Sequence, residues 1–153
     1  VPADCATDAI LLAAVAHTGM ALRHIPPLRR SRAICERAIE SDGYALQYVP
    51  KELLDSALCT TALTRAGLAI QYVPSVLMTE DICTTAVMHD AHALQHIPDA
   101  LKTEALCRIA VDCNGHALRH VPAPHLTQAL CALAVKRTPA AIRHVPQAWR
   151  TSL

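Results

Sequence analysis

An eight-residue phrase recurs along the chain at a fixed offset of 24 residues. It reads GYALQYVP at residues 43–50 and GLAIQYVP at residues 67–74, and related phrases end in proline at positions 26, 98, 122 and 146. Val1 and Pro2 match the end of one more copy. A constant period between about 20 and 50 residues indicates a solenoid, in which each unit covers the apolar face of its neighbour. We therefore predict a single repeat domain over residues 1–153, with six units and a partial seventh.

Each unit carries the sequence signals of two helices. Asp55 is an N-cap candidate, and residues 56–66 after it have apolar side chains at helical spacing. Gly67 is expected to end this helix at the C′ position with a positive φ. Residues 68–73 form a short second helix, α- or 3₁₀-like, which ends because the residue before Pro74 is disfavoured in the α region. The predicted fold is thus an all-α superhelical solenoid of short helical hairpins. The other units place capping residue types at the position of Asp55, namely Ser31, Thr79, Thr103 and Thr127.

Five of the seven cysteines share one position of the repeat and are spaced 24 residues apart. Helices packed side by side lie about 8–10 Å apart, whereas a disulfide needs Cα atoms within about 7 Å of each other. We therefore expect these thiols to be buried and reduced, which fits a reducing compartment. The cysteine column consists of Cys35, Cys59, Cys83, Cys107 and Cys131.

The repeats resemble a known bacterial family. Residues 43–63, GYALQYVPKELLDSALCTTAL, are similar to units of the family catalogued as domain of unknown function 4116. In that family an Ala-Val helix alternates with a Gly-x-Ala-Leu-x-x phrase and a Leu-containing turn. The similarity extends over nearly all of residues 1–153, and the repeat length is also similar to that of leucine-rich-variant repeats. The resemblance implies a helical array without catalytic residues, in a fragment of a larger bacterial protein such as an injected effector. Its location would then be the bacterial cytoplasm or the host cytosol.

Charge and composition argue against several function classes. The formal net charge is +1, so general electrostatic attraction to nucleic acid or to an acidic membrane is not expected. No run of 18 apolar residues predicts a membrane span. The sequence has no Gly-rich phosphate loop, nucleophile elbow or pair of catalytic carboxylates. We therefore expect neither enzymatic activity nor a cofactor.

Three positions on the short second helix vary from unit to unit, and we call the set of these positions the ladder. All three tyrosines and six of the nine histidines occupy it, and none of the thirteen carboxylates does. Because Tyr and Arg are enriched at binding hot spots, the predicted partner is a protein, from the host or from the bacterium. The ladder begins with Met20, Arg23 and His24. The candidate partner-binding residues are Tyr44, Gln47 and Tyr48, then Leu68, Gln71 and Tyr72, then His92, Gln95 and His96, then His116, Arg119 and His120, and finally Arg143 and His144.

Other interpretations of the ladder stay open. Its side chains could serve only to join each unit to the next, which would make the chain a structural spacer. They could instead read single-stranded nucleic acid one base per unit, although the net charge of +1 and the lack of a lysine stripe argue against this. The pairs His92/His96 and His116/His120 are four residues apart, a spacing at which two ligands share one α-helix face. No third ligand has a suitable spacing, so we predict no metal site.

Overall fold

The structure is a computed structural model that describes residues 7–151. Throughout this range the regular elements are helices, with no β-strand, so the predicted all-α class is confirmed. No helix among these residues has both the length and the apolar character needed to cross a bilayer. Val1 and Pro2, on which the partial seventh unit depends, lie outside the described residues.

Two kinds of helix alternate along residues 7–151. The α-helices are α1 (Asp8–His17), α2 (Arg32–Ser41), α3 (Ser56–Arg65), α4 (Glu80–His89), α5 (Glu104–Cys113), α6 (Gln128–Arg137) and the short α7 (Gln147–Arg150). A six-residue 3₁₀ helix follows each of α1 to α6, at Gly19–His24, Gly43–Tyr48, Gly67–Tyr72, Ala91–His96, Gly115–His120 and Pro139–His144. Three-residue 3₁₀ turns at Pro27–Arg29, Lys51–Leu53, Ser75–Leu77, Asp99–Leu101 and Ala123–His125 lead into the next α-helix. We call each ten-residue α-helix with the six-residue 3₁₀ helix after it a unit.

The predicted N-caps explain where most of the α-helices begin. The Asp55 carboxylate accepts a hydrogen bond from the backbone N–H of Leu58 at 2.8 Å, which satisfies one of the free donors of the first turn. The hydroxyls of Thr79, Thr103 and Thr127 accept in the same way from the residue three positions on. Ser31 makes no side-chain capping bond, so the prediction is wrong at that position.

The second helix of each unit is 3₁₀ rather than α, and it ends as predicted. Val73 is extended, with φ −76° and ψ 125°, and Pro74 follows it with φ −60°. At the other end, the side chains of Asp42, Asp90 and Asn114 accept from the N–H two residues on, which fixes the start of three of these helices. A 3₁₀ helix has about 3.0 residues per turn, so side chains three positions apart line up along it.

The expectation that Gly67 adopts a positive φ is wrong. No glycine among the described residues has a positive φ, and Gly67 is the buried first residue of its 3₁₀ helix. A Cβ at this position would lie 2.4 Å from the backbone oxygen of Ala86 in α4. Glycine is therefore required because the backbone of the next unit approaches closely, and not because of its own backbone conformation. Ala91 is the alanine found at the same position one unit later.

The core runs through the middle of every unit. The five cysteines of the column are 0% exposed, and the alanines at positions 45, 69, 93, 117 and 141 are at most 1% exposed. Burial, and then the nearby Asp55 carboxylate, raise the pKa of the Cys59 thiol to about 11, so the thiol stays neutral. The main contacts join elements of the same unit or of adjacent units. The predicted burial of the cysteine column is confirmed.

Candidate functional site

The structure places the ladder on the 3₁₀ helices, and in the four middle units an exposed position lies between two partly buried ones along the chain. The exposed middle position is held by Gln47, Gln71, Gln95, Arg119 and Arg143. The flanking positions are half-buried, at Tyr44, Tyr48, Leu68, Tyr72, His92, His96, His116, His120 and His144. The three tyrosines pack against the core cluster. The ladder is therefore less open than a fully exposed helix face, and a partner would reach the middle position most directly.

Two of the three ladder glutamines are held by their own helix. Gln47 Nε2 donates to the Tyr44 carbonyl at 3.1 Å, and Gln71 Nε2 donates to the Leu68 carbonyl at 3.2 Å. These bonds span three residues, which is the spacing that a 3₁₀ helix aligns. Each amide is thereby oriented before any partner binds, with its side-chain oxygen left to accept a hydrogen bond.

The histidines meet between units rather than along one helix. Residues four apart on a 3₁₀ helix are about 120° apart around its axis, so His116 and His120 do not share a face. Instead His116 contacts His144 of the next unit edge to face, with ring centroids 5.8 Å apart. His92 acts electrostatically on His120, also one unit on. Within residues 7–151 no three His, Cys, Asp or Glu side chains converge as metal ligands.

Burial and positive neighbours keep two of these histidines neutral. The pKa of His120 is lowered by burial first, and then by Arg119, Lys102, His92 and His144. The pKa of His144 is likewise lowered, by burial first and then by Arg143, His116 and Arg119. Both rings are consequently uncharged near neutral pH.

One carboxylate lies beside the ladder although none occupies it. Asp90 Oδ1 accepts from the backbone N–H of His92 at 2.9 Å and lies 3.1 Å from His92 Nδ1. Asp90 was missed because only the carboxylates at the three ladder positions were counted. It is the residue just before the 3₁₀ helix Ala91–His96. His92 therefore already has an acidic neighbour, unlike His116, whose helix is capped by Asn114.

Two cations that the sequence interpretation missed join successive 3₁₀ helices. Lys102 is only 8% exposed, and its Nζ donates to Asp99 Oδ1 at 2.8 Å and to the His120 carbonyl at 3.3 Å. Arg30 donates to the Tyr48 carbonyl at 2.6 Å and to the Ile25 carbonyl at 2.8 Å. Both reach the last carbonyl of the following 3₁₀ helix. The sequence does contain a signal for them. Arg30 and Lys102 share one position of the repeat, and at that position other units have the apolar residues Leu54, Met78 and Leu126.

The outer surface of the α-helices has a different character from the ladder. A cavity of about 460 Å³ lies among α4, α5 and α6, with Met88, Ile109 and Leu133 in its wall beside the exposed thiol of Cys113. The neighbouring Arg137 donates to Asp112 at 2.8 Å, so it does not act on that thiol as a free cation.

The comparisons with known proteins give one result. Neither the comparison with curated proteins nor the comparison with solved structures found a match. Residues 10–54 match the model of a family described as Domain of unknown function (DUF4116). This range begins within α1 and ends one residue after the 3₁₀ turn Lys51–Leu53. The predicted resemblance to domain of unknown function 4116 is thus confirmed over residues 10–54, and its extension to nearly all of residues 1–153 stays a prediction.

Proposed function

We propose that the chain is a non-catalytic helical-repeat scaffold that holds a segment of a partner protein along the ladder. The observation that carries this proposal is the alternation on five successive 3₁₀ helices. Each has an exposed Gln or Arg at its middle position, next to at least one half-buried Leu, Tyr or His side chain. Side chains with one apolar or aromatic part and one polar part are typical of binding surfaces on repeat proteins. A bacterial origin, and a partner from the host or the bacterium, follow only from the family resemblance.

We also propose that the units stack as a superhelical solenoid with a period of 24 residues. Three observations support this arrangement. The α-helices α2 to α6 begin at residues 32, 56, 80, 104 and 128, the main contacts are between adjacent units, and Gly67 approaches the backbone of the next unit. Small-angle X-ray scattering tests it, because a compact domain of this length has a radius of gyration of about 15 Å. A stacked array is elongated, so a measured value near that of a compact domain would contradict it.

Site-specific crosslinking tests the scaffold proposal. A photoreactive amino acid at Gln71, which is exposed and bonded only to its own helix, should crosslink to the partner in bacterial or host lysates. The matched control is the same amino acid at Thr64, which is exposed on α3, away from the ladder. Crosslinks from Gln71 and not from Thr64 support binding along the ladder. Crosslinks from Thr64 alone, or from neither position, would refute it and favour the structural spacer.

The tyrosines provide a second arm of the same experiment. Replacing Tyr48 and Tyr72 with Ala should abolish capture of the partner at Gln71. Because both rings pack against the core, this change also costs stability, so helical circular dichroism must be recorded for each variant. Tyr48→Phe with Tyr72→Phe keeps the packing and removes only the hydroxyls. Loss of helix in the Ala variant with full capture in the Phe variant would assign the rings to structure alone.

A further inference from the structure

The C-terminal part of the ladder differs from the rest in charge. It consists of His92, Gln95, His96, His116, Arg119, His120, Arg143 and His144, and we call this set the basic half. Arg119 and Arg143 are exposed, and no salt bridge to a carboxylate is recorded for either within the described residues. Asp90 beside His92 is the acidic contact of this surface. Lys102 is buried and already paired with Asp99, so it adds positive potential without offering its ammonium to a ligand.

Hydrogen bonding at His144, and burial at His116 and His120, indicate which ring nitrogen carries the hydrogen in the neutral form. Arg143 Nε donates to His144 Nε2 at 3.2 Å, so the neutral His144 ring carries its hydrogen on Nδ1. His116 Nδ1 and His120 Nε2 are buried without a hydrogen-bond partner. A buried N–H without an acceptor is rarer than a buried lone pair without a donor, so these two nitrogens are the unprotonated ones. In the neutral form of each ring, the single N–H is then at Nε2 of His116 and at Nδ1 of His120.

This pattern makes the basic half a surface of donors. Two guanidiniums and the N–H groups of His116 and His120 need acceptors, and no carboxylate occupies the ladder beside them. A group that accepts several hydrogen bonds and is negatively charged fits this surface best. Carboxylate and phosphate oxygens both meet that description.

The number of charges favours a protein over a nucleic acid. Phosphate backbones are held by several cations along the strand, and their binding depends on releasing many counterions. The basic half offers two exposed arginines, and burial and positive neighbours keep the His120 and His144 rings neutral near pH 7. Two or three carboxylates of an acidic peptide match this number of cations.

We infer that the basic half of the ladder binds a carboxylate-rich segment of a partner protein, with Arg119 and Arg143 as its main anchors. This inference rests on the proposed scaffold function and adds the chemical class of the partner. The arginines supply charge-assisted hydrogen bonds, which are about twice as strong as neutral ones. His116 and His120, on the same 3₁₀ helix as Arg119, add N–H donors.

His120 acts on a carboxylate as a neutral ring, because a second proton would have to go on Nε2, which is buried without a hydrogen-bond partner. The charged and titratable groups around it are Arg119 on its own 3₁₀ helix, His92 on the preceding one, His144 on the following one, and Lys102, itself paired with Asp99. These neighbours are cationic or become cationic on protonation, so they oppose the imidazolium form in the free protein. Burial opposes that form as well, so His120 contributes its Nδ1–H while Arg119 and Arg143 supply the charge.

A synthetic octaglutamate peptide tests the inference, with the whole chain and low ionic strength. The expected result is binding at pH 7 that weakens as salt is added, because the contacts join charged groups. Arg119→Gln with Arg143→Gln should weaken it about tenfold or more, since each loses a charge-assisted hydrogen bond. The matched control is Arg23→Gln in the first unit, where Arg23 Nε donates to His24 Nε2 at 2.8 Å as Arg143 does to His144. This control should leave binding unchanged within about twofold.

Several outcomes would overturn the inference. They are absence of octaglutamate binding at pH 7 and low ionic strength, an equal loss in the Arg23→Gln variant, and equal or tighter binding of an eight-nucleotide oligouridylate, which would assign the surface to nucleic acid. Circular dichroism of each variant shows that a loss of binding is not a loss of fold. The scaffold proposal fails separately, through the crosslinks at Gln71. A partner captured at Gln71 without octaglutamate binding would keep the scaffold and refute the acidic partner.

Discussion

Replacing Gly67 tests the close approach between units. The substitution Gly67→Ala adds a Cβ that would lie 2.4 Å from the Ala86 carbonyl oxygen, and 2.8 Å and 2.9 Å from the backbone nitrogen and the Cβ of Asp90. Ordinary contacts of a Cβ are longer than about 3.4 Å. Two of the three atoms belong to the backbone at the end of α4, so a change of side-chain rotamer cannot relieve the collision. The units must move apart.

The expected change in the free energy of unfolding follows from one destabilising contribution and two stabilising ones. Overpacking of a core site costs about 1–3 kcal/mol, and the collision with backbone places this site in the upper part of that range. The added methyl group contributes about 0.8 kcal/mol of burial at most. Loss of glycine from the unfolded chain contributes about 0.4–1 kcal/mol in favour of folding. The net destabilisation of Gly67→Ala is therefore about 1 kcal/mol, which lowers the melting temperature by about 2–4 °C for a chain of this length.

Urea and thermal unfolding followed by circular dichroism measure this effect. Gly67→Asn separates the two possible roles of the glycine, because asparagine adopts positive φ readily but has a larger side chain. We expect Gly67→Asn to be less stable than Gly67→Ala. The reverse change, Ala91→Gly, should also destabilise, since the junction there is packed around a methyl group that is 6% exposed. A Gly67→Ala variant that melts at or above the original temperature would refute the steric explanation, and a more stable Asn variant would restore the positive-φ role.

Three further predictions concern single groups. Asp55→Ala removes the acceptor of the Leu58 N–H and should cost about 1 kcal/mol in urea unfolding. A loss of unfolding free energy below a few tenths of a kcal/mol would contradict the role of Asp55 as the N-cap of α3. The folded pKa values of His120 and His144 lie below the ordinary value of 6.5, so the unfolded chain binds protons first. Their contribution to the free energy of unfolding is complete above about pH 6.5 and is lost as the pH falls through the folded pKa values; His120→Gln with His144→Gln should flatten this decline. Burial and a pKa of about 11 make the Cys59 thiol unreactive, whereas Cys113 is exposed. Cys113→Ser should remove a rapidly reacting thiol from a disulfide-exchange assay, and Cys59→Ser should remove one that reacts only after unfolding.

The position of each α-helix could be predicted because its signals are local. The predicted range 56–66 differs from the observed Ser56–Arg65 by one residue. A capping side chain and the apolar spacing after it are both visible within one turn of sequence. Ser31 shows the limit of this reasoning, since a suitable residue type does not ensure that the side chain points at the free N–H groups.

The form of the second helix and the role of Gly67 could not be decided from one unit. Six residues closed by a proline are too few to distinguish 3.0 from 3.6 residues per turn by apolar spacing. Glycine just after a helix is commonly a C′ residue, so the sequence predicts a positive φ at Gly67. The structure shows a contact with Ala86, nineteen residues further on, and a local signal contains no information about such a contact.

The ladder was located by its residue types, but its contacts were not. The sequence places His116 and His120 together, whereas the structure brings His116 to His144 in the next unit. Which histidines contact each other is determined by the packing of one unit on the next and by the geometry of the 3₁₀ helices. Neither could be read from the sequence. Lys102 was missed because its burial depends on hydrogen bonds to Asp99 and to the His120 carbonyl. Helical periodicity in the sequence does not predict that Lys102 and His120 lie close together.

Contacts limited to adjacent units make opening of the molecule a local event. Since the main contacts of each element are with its own unit and the adjacent ones, the unfolding of an end unit would remove mainly one interface in the proposed array. Amide hydrogens in the end units should therefore exchange with solvent sooner than those in α3 and α4. A partner bound to the basic half would slow exchange in α5 and α6 while leaving α2 almost unchanged. The exchange pattern along the chain would then report which units are occupied.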